Sequence, residues 1–353
     1  MERPIQKPIG TNLQELDTPA LFIDSLGVLN NWAILKSKVE NAGKNLRSNA
    51  SAYRTPALAH FVGIEAIYVD TLSEGLCFAE AGIKDILVGR IPRPDQLGLL
   101  KSLEAQCNLT VCLSSLDELK LLSQSRRESV NAISVLFRIA LDQLDLGLEP
   151  NKELMDILCE DPVGSKNICK GVFFRITGCL TDPLQAGLDQ WLEMLDERLG
   201  KLRETDRSIV AFHNNPSESL IFSPFVTEII EDKFLLRDNG LSPDQSGTMG
   251  VISSVTSNPE PHLALIDCGQ KAIAVDRGLP SVSGSRKRHV ERMSAEHGFL
   301  IIDPQEDRVR LGERVILSPA DAGDTFNIYD YVNVMNNERL SAVWRIESRG
   351  KYS

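Results

Sequence analysis

No stretch of the 353 residues stays apolar for the length of a membrane span, so a helical membrane protein is not expected. Basic charge is in deficit: 38 Lys and Arg stand against 49 Asp and Glu, with a net charge of -11 and a pI near 5.1. Nucleic acid and anionic membrane both need basic surface, so neither is expected as a partner, and small molecules or other proteins remain. The seven cysteines include no C-x-x-C pair. An odd, unpatterned set predicts reduced thiols in a cytoplasmic protein rather than a disulfide framework. The opening MERPIQKPIG has no apolar core of the kind a secretory signal needs, which points the same way. Low-complexity tracts are missing too. Against these absences, 42% hydrophobic and 25% charged residues are ordinary for a soluble chain able to build one large domain and a smaller one.

From about residue 26 to 245, short β-rich runs alternate with amphipathic helical segments. The runs are LRSNAS (46–51), AIYVD (66–70), DILVG (85–89), NLTVCLS (108–114), ISVLFRI (133–139), GVFFRI (171–176), SIVAFHN (208–214) and EIIEDKFLL (228–236). Continuous apolar strands separated by helices indicate a parallel sheet buried on both faces. Eight such units predict an α/β fold, a (β/α)8 barrel over 26–245 with its active site at the C-terminal ends of the strands. Over 246–353 the pattern changes to strands joined by turn residues, which predicts an all-β domain. The strand-like ELDTPALFIDS (15–25) suggests that segment 1–25 joins that domain. SGSRKRHVER (283–292) reads as a solvated loop in an otherwise acidic protein.

A barrel followed by a β-domain resembles the fold type III pyridoxal-phosphate (PLP) enzymes. The opening LDTPALFID, then IDCGQKAIAVDRGLP (266–280), SAEHGF (294–299), VRLGERVILSP (309–319) and the closing VWRIESRGKY (343–352) resemble the D-threonine aldolase/D-serine dehydratase-like family. That resemblance implies an alanine racemase-type barrel, a PLP aldimine on a lysine, a divalent metal, and a homodimer whose sites are completed across the subunit interface.

The same resemblance locates the reactive positions, and there the sequence departs. Against the family motif R-P-H-x-K-T-H-K-x-P, RSNASAYRTP (47–56) keeps Arg47 and Pro56 but places Ser51 at the aldimine lysine and Arg54 at the second lysine. A hydroxyl forms no stable imine, and a guanidinium stays protonated. The family arginine of the D-x-G-x-x-R-x-G-V segment becomes Asp145. The phosphate loop becomes AFHNNPSES (211–219), with His213 at a glycine position and Asn214, Asn215, Ser217 and Ser219 left to hold an anion. In TEIIED (227–232), Thr227 and Glu228 remain while Ile230 stands at the arginine position. The metal motif P-N-H-x-C becomes LSPADAG, with Asp321 at the histidine and Gly323 at the second ligand. Asp321 and Asp324 offer oxygen ligands to Mg²⁺, or serve as capping residues in a turn.

Ser51, Tyr53, Arg54, Arg175, His213, Asp145 and Asp321 are thus the residues expected at the barrel mouth. Arg175 reads either as a ligand group or as an ion-pair partner of Asp145 or Glu228. His213 reads as a general base or as a structural group. A Ser51–His213 pair oriented by Asp145 or Glu228 would have triad logic, without a G-x-S-x-G elbow to support it. Lys271 and His297 match β-domain positions of the family and are read as architecture. Three functions stay open: a PLP-independent, lyase-like enzyme for a small hydroxylated or carboxylated metabolite; a non-catalytic ligand-binding barrel or subunit partner; and a PLP- and metal-dependent lyase of D-3-hydroxy amino acids.

Overall fold

The computed structural model describes residues 7–90, 93–125, 133–140, 147–149, 167–176, 188–194, 197, 208–213, 218–236, 247–285, 287–303 and 308–352. By packing, the chain divides into two compact units. One comprises Ile34–Ser51, Gly63–Asp232 and Lys351–Ser353; the other comprises residues through Ala33, Ala52–Val62 and Lys233–Gly350. No helix among the described residues is long and apolar enough to cross a membrane.

The first strand, β1 (Ala20–Asp24), leads into helix α1 (Ser25–Asn41). Eight strands then close into a parallel barrel: β2 (Asn45–Asn49), β3 (Ala66–Val69), β4 (Asp85–Val88), β5 (Asn108–Leu113), β6 (Ile133–Ile139), β7 (Asn167–Ile176), β8 (Ser208–His213) and β9 (Glu228–Glu231). Closure is made by β2 against β9, with Asn45 opposite Glu228 and Arg47 opposite Ile230. The strands read as unbroken apolar runs because both faces are covered: Ile67, Ile86, Val111, Val135 and Phe174 are as completely buried as the residues alternating with them. Those alternating residues fill the barrel with Tyr68, Leu87, Cys112, Leu136, Phe173, Val210, Phe212 and Ile230. Two glycines allow close approach. Gly171 has φ +135°, and a Cβ there would lie 2.2 Å from the Ser208 carbonyl oxygen; a Cβ on Gly89 would lie 2.0 Å from the Tyr68 hydroxyl.

The expected last barrel strand, 228–236, is shorter than its apolar composition suggested: it ends at Glu231, and the chain turns over residues 232–236. Asp232, the next residue, accepts a hydrogen bond from the Asn49 side chain.

The nine-stranded sheet joins β1 to β10 (Met249–Glu260), β11 (Leu263–Ile266), β12 (Ser281–Val282), β13 (Arg288–Met293), β14 (Gly298–Ile302), β15 (Arg314–Ser318), β16 (Tyr331–Asn336) and β17 (Arg339–Arg345). β1 runs antiparallel to β10 and parallel to β16. The β16–β17 hairpin turns at Asn337 (φ 48°) and Glu338 (φ 61°), two left-handed residues whose twist matches that of the flanking strands. Beneath the sheet, Leu13, Leu16, Ala20, Phe22, Ile252, Met335 and Leu340 form one apolar cluster.

Candidate functional site

Position 51 follows the C-terminal end of β2, in a 3-10 turn over Ala50–Ala52. Ser51 is 4% exposed, and both its N–H and its hydroxyl are engaged in hydrogen bonds. Its backbone N–H donates to Asn49 Oδ1 (3.1 Å), its hydroxyl donates to Glu74 Oε2 (2.8 Å), and its oxygen accepts from the Asp70 N–H (2.9 Å). Glu74 is buried in the first turn of helix α3 (Leu72–Glu80), after α2 (Pro56–Val62). It closes a capping box with Thr71, accepting from the Thr71 N–H at 3.2 Å while the Thr71 hydroxyl accepts from the Glu74 N–H. One carboxylate therefore serves both the helix terminus and the serine, a charge-assisted arrangement stronger than a neutral pair.

One rung inward, three rings make an aromatic floor. Tyr68 stacks on Phe173 with centroids 5.9 Å apart and meets Phe212 edge-on at 5.1 Å. The Tyr68 hydroxyl donates to Asp70 Oδ1 at 2.9 Å. Burial, then the negative charge of Asp70, pushes that phenol well above its ordinary pKa, against the opposing pull of Arg175. Two guanidinium groups lie over the floor: Cζ of Arg175 is 4.2 Å from the Phe212 centroid, and Cζ of Arg138 is 5.9 Å from that of Phe173. Nε of Arg175 is buried without a hydrogen-bond partner among the described residues.

Glu228 does not partner Arg175. Its carboxylate accepts from Nε of Arg47 at 2.5 Å, and Arg47 also pairs with Asp85 at 2.8 Å. Glu228 and Asp85 open their strands, so this ion cluster sits at the end of the barrel opposite the mouth. The expected role of Glu228 beside Arg175 or His213 fails for that reason. His213 is the last residue of β8, paired in register with Ile176 and Glu231. Asp145, Asn214, Asn215 and Ser217 lie outside the described residues, and Ser219 falls in the short helix Glu218–Ile221. A surface groove of about 630 Å³, lined by Lys84, Glu104, Gln106 and Cys107, lies beside the N-terminal ends of β4 and β5, away from the mouth.

The remaining candidates belong to the sheet-containing unit. Arg54 is buried with a left-handed backbone (φ 55°); its Nε donates to the Gly323 carbonyl at 3.2 Å, and its own carbonyl accepts from the Ser348 N–H and hydroxyl. Tyr53 is buried in the same segment. Asp321 is the N-cap of the helix Ala322–Phe326, accepting from the Asp324 N–H at 2.9 Å. Nε of Arg277 lies 3.4 Å from Asp321 Oδ2 and 3.3 Å from Asp324 Oδ2, where it supplies the positive charge between the two carboxylates. No group of three or more His, Cys, Asp or Glu among the described residues is arranged to hold a metal ion. Lys271 makes an exposed ion pair with Glu296, and His297 shapes a turn by accepting from the Ser294 N–H. Cys77, Cys107, Cys112 and Cys268 are free thiols, and burial pushes Cys112 and Cys268 up to about 12, out of the reactive range.

Sequence reasoning missed Glu74, Tyr68 and Arg138. The T-x-x-E spacing of Thr71 and Glu74 was a readable capping-box signal. Arg138 stands two residues beyond the inward-facing Leu136, so strand alternation alone would have marked it as a cation entering the barrel.

A closed eight-stranded parallel barrel with a candidate site at the C-terminal ends of its strands, in a chain that also carries a predominantly antiparallel sheet, defines the alanine racemase-type class of α/β proteins. The chain belongs to the alanine racemase N-terminal domain family, whose model matches residues 23–228, more than half its length. A serine dehydratase domain model matches residues 248–335, and together the matches place the protein in the D-threonine aldolase/D-serine dehydratase-like group. It is 24% identical to a D-threonine aldolase from an Arthrobacter species, over 97% of this chain and 95% of that one. It is 22% identical to the 3-hydroxy-D-aspartate aldolase of Paracoccus denitrificans, over 97% and 94%. The crystal structure of D-threonine aldolase from Filomicrobium marinum shares the fold with a TM-score of 0.86 at 20% identity, covering 99% of this chain and 100% of that one.

Proposed function

We propose that this chain is a diverged member of its lyase-containing family that works without a PLP-lysine aldimine, taking a small hydroxylated or carboxylated metabolite at the C-terminal mouth of the barrel in a PLP-independent, lyase-like reaction. The observation that carries this reading is position 51. The family's lysine is replaced by an alcohol whose hydroxyl is held by Glu74 and whose oxygen already caps the Asp70 N–H. An imine requires an amine at that point, so the residues present do not fit the cofactor as an internal aldimine. Among the described residues, Lys44 precedes β2 and Lys84 precedes β4, at the opposite end of the barrel, and Lys233, two residues past β9, donates to the Ala320 carbonyl at 3.1 Å. The metal position supports the same reading, because Asp321 and Asp324 already share the guanidinium of Arg277. We propose further that the protein is a homodimer, as the family resemblance implies, and cytoplasmic, as its odd, unpatterned cysteine set suggests.

The test is reduction with borohydride after incubation with PLP, followed by intact-mass and peptide analysis. The expected outcome is no visible aldimine band and no pyridoxyl-lysine. A stoichiometric adduct on any one lysine would overturn the reading and name the residue. In parallel, Ser51→Lys is expected to leave D-threonine cleavage absent, because its ammonium would meet the Glu74 carboxylate and the metal position would be unchanged.

A second reading, a non-catalytic ligand-binding barrel or subunit partner, is favoured by the fact that Ser51 and Asp321 both serve as structural hydrogen-bonding groups. Aldehyde or keto-acid release from hydroxy acids, with and without Mg²⁺, separates the two: turnover excludes the second reading.

A further inference from the structure

We propose that Arg175 and Arg138 form a carboxylate-binding subsite on the aromatic floor of the barrel mouth, with Arg175 the principal contact. The proposal rests on the reading that a small hydroxylated or carboxylated metabolite enters that mouth, and it names the groups that recognise it.

Strand alternation sets the pair. Phe173 and Arg175 are two apart on β7, Leu136 and Arg138 two apart on β6, and Phe173 and Leu136 point into the barrel. In the parallel register Arg138 lies opposite Phe173, and Arg175 lies opposite Phe212. Each guanidinium is therefore carried in over the ring beside it on the neighbouring strand, and the two cations stand on adjacent strands toward the C-terminal end.

Among the described residues, the acidic side chains considered for Arg175 are engaged elsewhere, which leaves an anion as the partner it would take. A half-buried guanidinium loses hydration, and an aromatic face returns only part of what a carboxylate would. Its Nε has no acceptor among the described residues. Glu228, the acidic side chain on an inward strand position of β9, is held by Arg47 at the far end of the barrel. Asp70 accepts the Tyr68 hydroxyl, and Asp232 accepts from Asn49. A planar carboxylate meets the fork of a guanidinium with two parallel hydrogen bonds, which an ammonium cannot reproduce. The rings beneath would lie against the carbon skeleton of the ligand, and Arg138, 8% exposed, adds a second positive charge at the depth of Phe173.

The experiment titrates the full-length protein with malate, glycerate and inorganic phosphate, by calorimetry and by shift of the melting temperature. Malate or glycerate is expected to bind and to raise the melting temperature, with affinity falling as NaCl rises. Arg175→Gln should weaken carboxylate binding at least about 10-fold, the effect of one charged hydrogen bond, and Arg138→Gln should weaken it less. Arg175→Lys should recover part of the affinity through charge but not the bidentate geometry. Should Arg175→Gln fold poorly by near-UV circular dichroism, Phe212→Leu replaces it: the guanidinium stays, its shelf goes, and affinity should fall several-fold. The proposal is overturned by carboxylate affinities that these substitutions leave unchanged, by no carboxylate binding in the wild type, or by phosphate binding more tightly than either acid. A pyridoxyl-lysine adduct would sink the aldimine-free reading alone, because the arginine dependence is measured without PLP.

Discussion

The barrel carries a charged arginine near each end, and the two are treated differently. Arg47, whose side chain is 6% exposed, is met by two carboxylates, Glu228 and Asp85, and by the carbonyl of Ile67. Burial alone would lower its pKa, but the two negative charges outweigh burial and raise it. Arg175 near the mouth has the Phe212 ring and no acceptor for its Nε among the described residues. In this fold, polar groups at the N-terminal end of the strands serve stability and those at the C-terminal end serve ligands. The contrast teaches that a buried charge is read by what surrounds it: Arg47 is neutralised by carboxylates, whereas Arg175 lies on an aromatic ring, the arrangement on which the proposed carboxylate subsite rests.

Two substitutions press on that contrast. Arg47→Ala should have the largest effect, destabilising the protein by about 3–5 kcal/mol in urea unfolding, because Glu228 is then left charged and buried without a partner. Arg175→Leu should cost less, about 0.5–2 kcal/mol, since among the described residues it loses a cation–π contact and no ion pair, while carboxylate binding disappears. Equal losses for the two would erase the distinction between the ends.

The smallest effect belongs to the other unit. Partial burial, then the charge of Asp321, holds the Asp324 carboxyl above the usual carboxylate range, against Arg277 and Arg54. A folded-state pKa raised above the unfolded one favours the protonated folded form, so this group's contribution is present below the unfolded pKa and lost as pH rises through the folded one. Asp324→Asn, neutral at every pH, should therefore gain about 0.5 kcal/mol near neutrality, with the gap to wild type closing on acidification; melting temperature against pH measures it.

Much of the architecture was legible because burial writes itself into sequence. The eight apolar runs correspond to the eight barrel strands, since a parallel sheet covered on both faces leaves no polar alternation. The run 228–236 was over-read, because its apolar tail at Leu235 and Leu236 is buried in a turn rather than in a ninth-residue strand. The absence of a lysine at position 51 was also plain. What was not legible was who holds whom. Glu228 pairs with Arg47 across 181 positions, and Ser51 with Glu74 across 23. No periodicity encodes such pairs, because they depend on strand register and on the level each side chain reaches inside the barrel.

By itself, the sequence determined an acidic chain built from eight βα units and a run of antiparallel strands, with an alcohol where the family resemblance puts an amine. Those properties are local: composition, alternation and the chemistry of a side chain survive without coordinates. Only the tertiary structure decided that this alcohol is tied to a helix-capping glutamate, that an arginine lies between the two aspartates offered to a metal, and that Arg138 and Arg175 stand together over three rings. Hydrogen bonds and Coulomb attraction fall off within a few ångströms, so their partners exist only once folding has brought distant strands side by side.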